Sequence, residues 1–196
     1  MPIAAAMRVA PLARRAIPVE TVALARYLLG KVLVRERGGA RAVGRIVETE
    51  AYLQGDPACH AFRGPTPRTR SLYLRRGHAY VYLCYGTSYL LNVSSGPAGV
   101  GEGVLLRALE PLQGFDRSMP NVARGPGRLT AALDIDRRFD GIDLFTPGPL
   151  WIGSDGQDAV TIGRSVRIGI SKGAEAPLRY FVAGNRHLSG PRALNE

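Results

Sequence analysis

The residues best suited to chemistry lie in the run RIVETEAY at positions 45–52. Val, Ile, Thr and Tyr in this density suit a strand, where residues two apart face the same side. Ile46, Glu48, Glu50 and Tyr52 are therefore expected on one face. Val47, Thr49, Ala51 and Leu53 are expected on the other, which reads as core. The first face sets two carboxylates beside a phenol. Alone, such a strand reads as half-solvated, with its acids toward water. Held out of water, one of those carboxylates could take a proton from an attacking water.

Two further stretches carry chemistry. Residues 54–77 form a long connection rich in Pro and Gly, with Arg63, Arg68, Arg70, Arg75 and Arg76 and no acid after Asp56. Loops of this length without structure of their own are functional or disordered. Arginine forks match phosphate oxygens, and only Lys31 and Lys172 represent lysine in the chain. Residues 78–85 and 89–95 read as a hairpin around a turn at 86–88. It holds Tyr80, Tyr82, Tyr85 and Tyr89, half of the eight tyrosines. Tyr82 is placed to stack on a base, and Tyr85, at the turn, to wedge into a base stack. His60, His78 and His187 have no metal-ligand spacing, and Cys59-His60 has no second pair nearby, so no metal site is expected. GPGR at 125–128 lacks the Lys-Ser or Lys-Thr of a phosphate-binding loop.

The elements that must position these groups are strands more than helices. A helix is expected over residues 18–30, with Pro18 in its first turn and Gly30 after its end. Strands are expected at 31–37 and 42–53 around a Gly38-Gly39 turn, and at 104–109. Pro111 is expected to open a short helix, and 125–133 to form another. Short strands are expected at 150–152, 159–162, 166–170 and 178–182. This pattern predicts an α+β fold: a single compact domain around a curved antiparallel β-sheet, with a protruding β-hairpin and peripheral helices. Residues 1–17 read as a disordered N-terminal arm, 18–184 as the domain, and 185–196 as a C-terminal tail.

Composition narrows the partners. The chain of 196 residues carries 26 Lys+Arg against 16 Asp+Glu, a net charge of +10. Such a chain is drawn to polyanions. No apolar run is long enough to cross a bilayer and no basic amphipathic helix is evident, so no membrane partner is expected. Two cysteines do not make a disulfide scaffold and fit a reducing compartment. A basic loop, a tyrosine hairpin, a histidine and strand-borne acids together suit an enzyme that extrudes a base from duplex DNA and attacks C1′ with activated water.

Several motifs, in this order, resemble the alkyladenine (3-methyladenine) DNA glycosylase family: RIVETEAY at 45–52, His60, YVYLCYG at 80–86, LNV at 91–93, VLLRALEP at 104–111 and RGPGRL at 124–129. The resemblance spans about residues 23–182. It implies a monofunctional, cofactor-free, monomeric enzyme acting on double-stranded DNA with damaged purines, in the cytoplasm near the nucleoid of a bacterium or in a eukaryotic nucleus. It implies Glu50 as general base and Arg107 as holder of the water and the carboxylate. Tyr52, His60 and Tyr82 would enclose the base, Asn92 would disfavour the guanine amino group, and Tyr85 would fill the gap left in the duplex. Arg63, Arg68, Arg70, Arg75 and Arg76 are expected along the DNA backbone. Glu48 is expected as a supporting carboxylate. Thr87 stands where a Met is common in that family, and Cys59 where a small residue is usual. A non-catalytic sensor of damaged DNA on the same fold, and a general RNA-binding protein, are the alternatives.

Overall fold

The computed structural model describes residues 7–116 and 118–196. In chain order its strands and α-helices are β1 (Ala10–Pro11), α1 (Thr21–Leu28), β2 (Val32–Arg37), β3 (Ala40–Tyr52), β4 (Ala79–Cys84), β5 (Ser88–Ser94), β6 (Gly103–Gln113), α2 (Pro126–Ala132), β7 (Leu150–Ser154), β8 (Ile162–Ser165) and β9 (Arg179–Val182). The strands form one antiparallel sheet in the order β1-β7-β2-β3-β6-β5-β4, with β9 on β3 and β8 on β9. This is the α+β architecture expected. The 13-residue β3 is its axis. One edge of β3 pairs with β6. The other pairs first with β2 and then, at Glu48 to Glu50, with β9.

The main core lies between the sheet and the two helices. Leu24, Ala25 and Leu28 of α1 and Leu129 of α2 pack with Leu33, Ile46, Ala51, Val81, Leu91 and Leu106 of the strands. Helix α1 starts at Thr21, three residues after Pro18. It ends before Gly30, whose φ of +84° suits glycine and whose Cβ, were there one, would lie 2.6 Å from the Asp158 carbonyl oxygen.

Alternation along β3 is broken where the site begins. Between Ile46 and Glu48, β3 has one residue more than β6. Between Ala108 and Leu106, β6 has one more than β3. Val47 and Arg107 therefore have no register partner across this ladder, and each strand carries a bulge. Ile46 faces the main core, while Val47 joins Ala108, Phe181 and Leu188 on the opposite side. Ile46 thus does not share the face of Glu48, as strict alternation predicted. Thr49, whose hydroxyl donates to the Ala25 carbonyl of α1 at 2.9 Å, and Ala51 do face the core as expected.

Two local expectations fail. Pro111 opens no helix: β6 continues through it to Gln113, with Pro111 opposite Gly44 at another register shift. Residues 166–170 and most of 159–162 are not strand. Strand begins at Ile162 and ends at Ser165, and the 166–170 backbone turns to the site instead. The N-terminal stretch, expected as an arm, makes contacts where it is described. Ala10 and Pro11 pair with Ser154 and Gly153, Ile17 is buried in the core, and Arg14 pairs with Asp143. Residues 1–6 of that expectation lie outside the described residues. The C-terminal tail also packs: Leu188 and Ser189 are buried.

Candidate active site

Glu48 and Glu50 are both fully buried, one behind the other on β3. A carboxylate taken out of water needs donors and a counter-charge. Glu50 has three donors. The Tyr52 hydroxyl donates to Oε2 at 2.8 Å, Arg107 Nη1 donates to Oε2 at 3.3 Å, and the Ile168 amide donates to Oε1 at 2.8 Å. An ionised carboxylate offers about four acceptor positions. One position on Oε1 is thus left for a further donor, such as a water. Glu48 is closed by comparison. Its Oε1 accepts from Arg179 Nε at 2.7 Å, Ser189 Oγ at 2.8 Å and Arg107 Nε at 3.1 Å, and its Oε2 from the Ser189 amide at 2.6 Å. The two acids are balanced by Arg107 and Arg179.

The bulge in β6 explains how Arg107 reaches both acids. Freed from the ladder's register, it spans them, with Nε on Glu48 and Nη1 on Glu50 and on the Ile168 carbonyl at 3.3 Å.

Arg107 and Ile168, which bind Glu50, face a cavity of about 620 Å³ that neither acid itself lines; Tyr52, His60, Tyr80, Tyr82 and Asn92 also line it, with Tyr85 at its rim. His60 and Tyr82 meet edge to face at 4.3 Å between ring centres, and Tyr80 stacks on Tyr82 at 5.3 Å. The Tyr80 hydroxyl lies 2.9 Å from His60 Nδ1. Tyr52 is held from behind by the Arg167 guanidinium, 4.7 Å from its ring centre. Arg167 in turn binds Asp56, the Gly173 carbonyl and the Ala51 carbonyl, tying the 52–60 turn to the 166–173 loop. Asn92 lies opposite Tyr80 and Leu105 on β5, between β4 and β6, and donates to the Tyr80 carbonyl at 3.2 Å.

Burial sets the protonation of this lining. It pushes the hydroxyls of Tyr52, Tyr80 and Tyr82 above the ordinary value, so all three stay neutral, and for Tyr52 the Glu50 charge adds to the effect. Partial desolvation, reinforced by Arg68, pulls the His60 imidazole below its ordinary value of 6.5. Burial raises the Cys59 thiol to about 11, so it is a packed thiol and not a nucleophile at neutral pH. Among the described residues no three His, Cys, Asp or Glu side chains gather as metal ligands.

Tyr85 stands apart. It is 94% exposed, and its φ of +47° is in the left-handed region, followed by Gly86 at +71°. Thr87 N–H closes the turn on the Cys84 carbonyl at 3.0 Å. Positive φ at both central positions belongs to the primed hairpin turns. Glycine suits that geometry. Tyrosine is held there at about 1–2 kcal/mol. An aromatic ring that is exposed and conformationally strained adds nothing to the fold.

The five loop arginines are not equivalent. Arg63 and Arg70 are exposed and make no hydrogen bond or ion pair among the described residues. Arg75 is exposed near Asp143 at 4.0 Å. Arg68 is exposed yet bound to the hairpin, donating to the Leu83 carbonyl at 2.9 Å and lying over the Tyr82 ring. Arg76 turns inward to the Ile17 carbonyl. The structure thus brings Arg107, Tyr52, His60, Tyr82 and Asn92 to one cavity, with Glu50 buried behind Tyr52, Arg107 and Ile168, sets Tyr85 at its edge, and, among the described residues, ties only the Arg68 side chain of the five arginines to the hairpin. Tyr80, Arg167, the Ile168 amide, Arg179 and Ser189 were missed from the sequence as parts of the site. Of these, Tyr80 was marked by the tyrosine hairpin and Arg179 by being a charge inside the apolar run LRYFV.

Residues 15–186 match the model of the family described as Methylpurine-DNA glycosylase. Curated relatives that match this chain bear the name "Putative 3-methyladenine DNA glycosylase", among them three bacterial or archaeal proteins. The one from Mesorhizobium japonicum is 56% identical over 95% of this chain and 93% of its own length. The one from Paraburkholderia phytofirmans is 48% identical over 94% and 90%. The one from Methanoculleus marisnigri is 43% identical over 87% and 94%.

Proposed function

The chain belongs to the methylpurine-DNA glycosylase family and is a DNA N-glycosylase of base-excision repair, and from that premise we propose that it flips alkylated or deaminated purines into the aromatic cavity and hydrolyses their N-glycosidic bond with Glu50 as general base. The observation that carries this reading is Glu50 itself: a buried carboxylate with one acceptor position to spare, whose three donors, Tyr52, Arg107 and the Ile168 amide, belong to residues that line the aromatic cavity.

A purine turned out of the duplex stacks between Tyr52 on one side and His60 with Tyr82 on the other. Neutral tyrosines and a neutral imidazole offer electron-rich faces to a base made cationic by alkylation. The His60 main chain hydrogen-bonds to the base. Asn92 on the cavity floor crowds the exocyclic amino group that guanine carries and adenine lacks at C2. Tyr85 fills the place that the base leaves, and its strained, exposed position suits a residue that works in the DNA. Arg63, Arg70 and Arg75 face the phosphates. Arg68 serves the hairpin as much as the DNA.

Hydrolysis then follows the charge. As the C1′–N bond lengthens, the sugar becomes oxocarbenium-like and its electron pair leaves with the base. Water, held by Arg107 and the Ile168 carbonyl, gives its proton to Glu50 as its oxygen bonds to C1′. The anionic Glu50 also stabilises the developing positive charge on the sugar. An alkylated base such as 3-methyladenine already bears a positive charge and leaves neutral. Hypoxanthine needs a proton on leaving. The product is an abasic site in an uncut strand.

The test is a panel of defined duplexes, carrying 3-methyladenine, hypoxanthine or undamaged purine, with enzyme in excess and released base scored against time. Release from the damaged duplexes only is expected. Tight binding to the same duplexes without release would identify a damage sensor and refute the reading.

A further inference from the structure

Ser189 lies beyond the residues that the family model matches, in the segment expected from the sequence as a tail. It is 5% exposed, and its side chain uses every hydrogen-bonding capacity it has. The hydroxyl donates to Glu48 Oε1 at 2.8 Å and accepts from both Nε and Nη2 of Arg107 at 3.3 Å. We infer that Ser189 is a positioning residue for hydrolysis, which holds the Arg107 guanidinium edge-on so that its remaining nitrogen stays on Glu50. This rests on Arg107 and Glu50 acting as proposed above.

The geometry supplies the reason. Nη1, the nitrogen that Ser189 does not touch, is the one that reaches Glu50 Oε2 and the Ile168 carbonyl. A guanidinium facing a carboxylate favours two parallel N–H···O bonds. Glu48 takes only Nε from Arg107, because its Oε2 is on the Ser189 amide and its Oε1 is shared with Arg179 and the Ser189 hydroxyl. The Ser189 hydroxyl is the acceptor for Nη2. Without it, that nitrogen loses the one acceptor it has among the described residues, while Glu48, already bound to the adjacent Nε, offers a buried charge on the same edge of the guanidinium. The guanidinium then turns to close a fork on Glu48 and draws Nη1 off Glu50.

The segment is built to hold this position. Leu188 packs against Val47, Ala108 and Phe181, and its carbonyl accepts from Arg124. The Ser189 carbonyl accepts from Arg179 Nη2 and Asn195 Nδ2, and the Leu194 carbonyl accepts from Arg179 Nη1 at 2.8 Å. Arg179 is thus the post on which the chain end is fastened, while Ser189 is its contact with the reacting side of the network.

The experiment measures single-turnover base release and damaged-duplex affinity for S189A, S189C and S189T, then for S189A in an R107A background. Loss of the hydroxyl in S189A, and its replacement by a poor acceptor of similar size in S189C, should each slow release about tenfold with affinity within about twofold. S189T keeps the hydroxyl and should retain most of the rate. In the R107A background, S189A should change the residual rate by less than about twofold, because the contact acts through Arg107. An unchanged rate in both S189A and S189C, rate and affinity falling together, or the same tenfold loss persisting without Arg107 would overturn the inference. Wild-type release by R107A would instead overturn the role of Arg107 proposed above, and this inference with it.

Discussion

Glu48→Gln should unfold this protein more readily than Glu50→Gln, although the two acids are two residues apart on one strand. Glu48 is wholly buried and takes four hydrogen bonds, two of them from guanidinium groups. Glutamine fits the same space but removes the charge and turns an N–H₂ group toward donors. Arg179 is itself wholly buried, and its remaining partners are neutral: Ser165 Oγ at 2.7 Å, the carbonyls of Leu194 and Ser189, and the Asn195 side chain. Breaking a buried pair by changing one partner costs about 3–5 kcal/mol. Arg107 keeps Glu50, which places Glu48→Gln near the middle of that range, about 4 kcal/mol. At about 2–4 °C per kcal/mol for a chain of this size, the melting temperature should fall by about 8–16 °C. Glu50→Gln leaves both arginines on Glu48 and should cost about 1–2 kcal/mol. Urea titration followed by circular dichroism measures both, with a shifted midpoint and an unchanged slope if only stability has moved. A Glu48→Gln loss below about 1 kcal/mol, or equal losses for the two variants, would refute the division of the acids into one that holds the fold and one that does the chemistry.

Two further outcomes follow from the site. Tyr85→Asn places a residue that tolerates positive φ at the hairpin tip and gives up little packing, so stability should rise by about 0.5–1 kcal/mol. The same variant should excise a well-paired lesion such as hypoxanthine opposite thymine more slowly than an unpaired one, and an equal effect on both would remove Tyr85 from the flipping step. For His60, desolvation and then Arg68 set the imidazole below its ordinary value. Between that depressed value and 6.5 the unfolded chain binds more protons than the folded one, so this group makes stability fall as pH falls through the window. Arg68→Gln should move the His60 titration, followed by NMR, part of the way back toward 6.5, while His187, which Arg68 does not perturb, stays where it is. An unmoved His60 would mean that Arg68 does not act on the cavity.

What was legible in the sequence follows the range of the forces involved. The β3 strand, the tyrosine hairpin and the Gly38-Gly39 turn are written in local periodicity and turn chemistry, and they sit where expected, but the β3 acids, which alternation alone turned toward water, are fully buried. Alternation misplaced Ile46 because a bulge is a property of two strands, and β6 lies about 60 residues away from β3 in the chain. Pro111 misled for the same reason. As a local signal it ends a strand, but beside a register shift it is tolerated within one. The Ile168 amide could not be read from the sequence, since every residue except proline has that group and only the fold decides where it points. Arg179 and Ser189 reach Glu48 across 131 and 141 positions. No spacing rule connects such residues. Ser189 is ordinary for a chain end and Arg179 stands out only as a charge in an apolar run, and burial makes both part of the site.

The central claim is that Glu50 activates the water that breaks the glycosidic bond. Its most direct test is Glu50→Gln, measured for damaged-duplex affinity and for single-turnover base release on the same duplex. The variant keeps the shape of the side chain and loses both the general base and its charge. Affinity should stay within a few fold of wild type, while release falls by about three orders of magnitude or more. Release within about tenfold of wild type, with the fold intact, would contradict the claim.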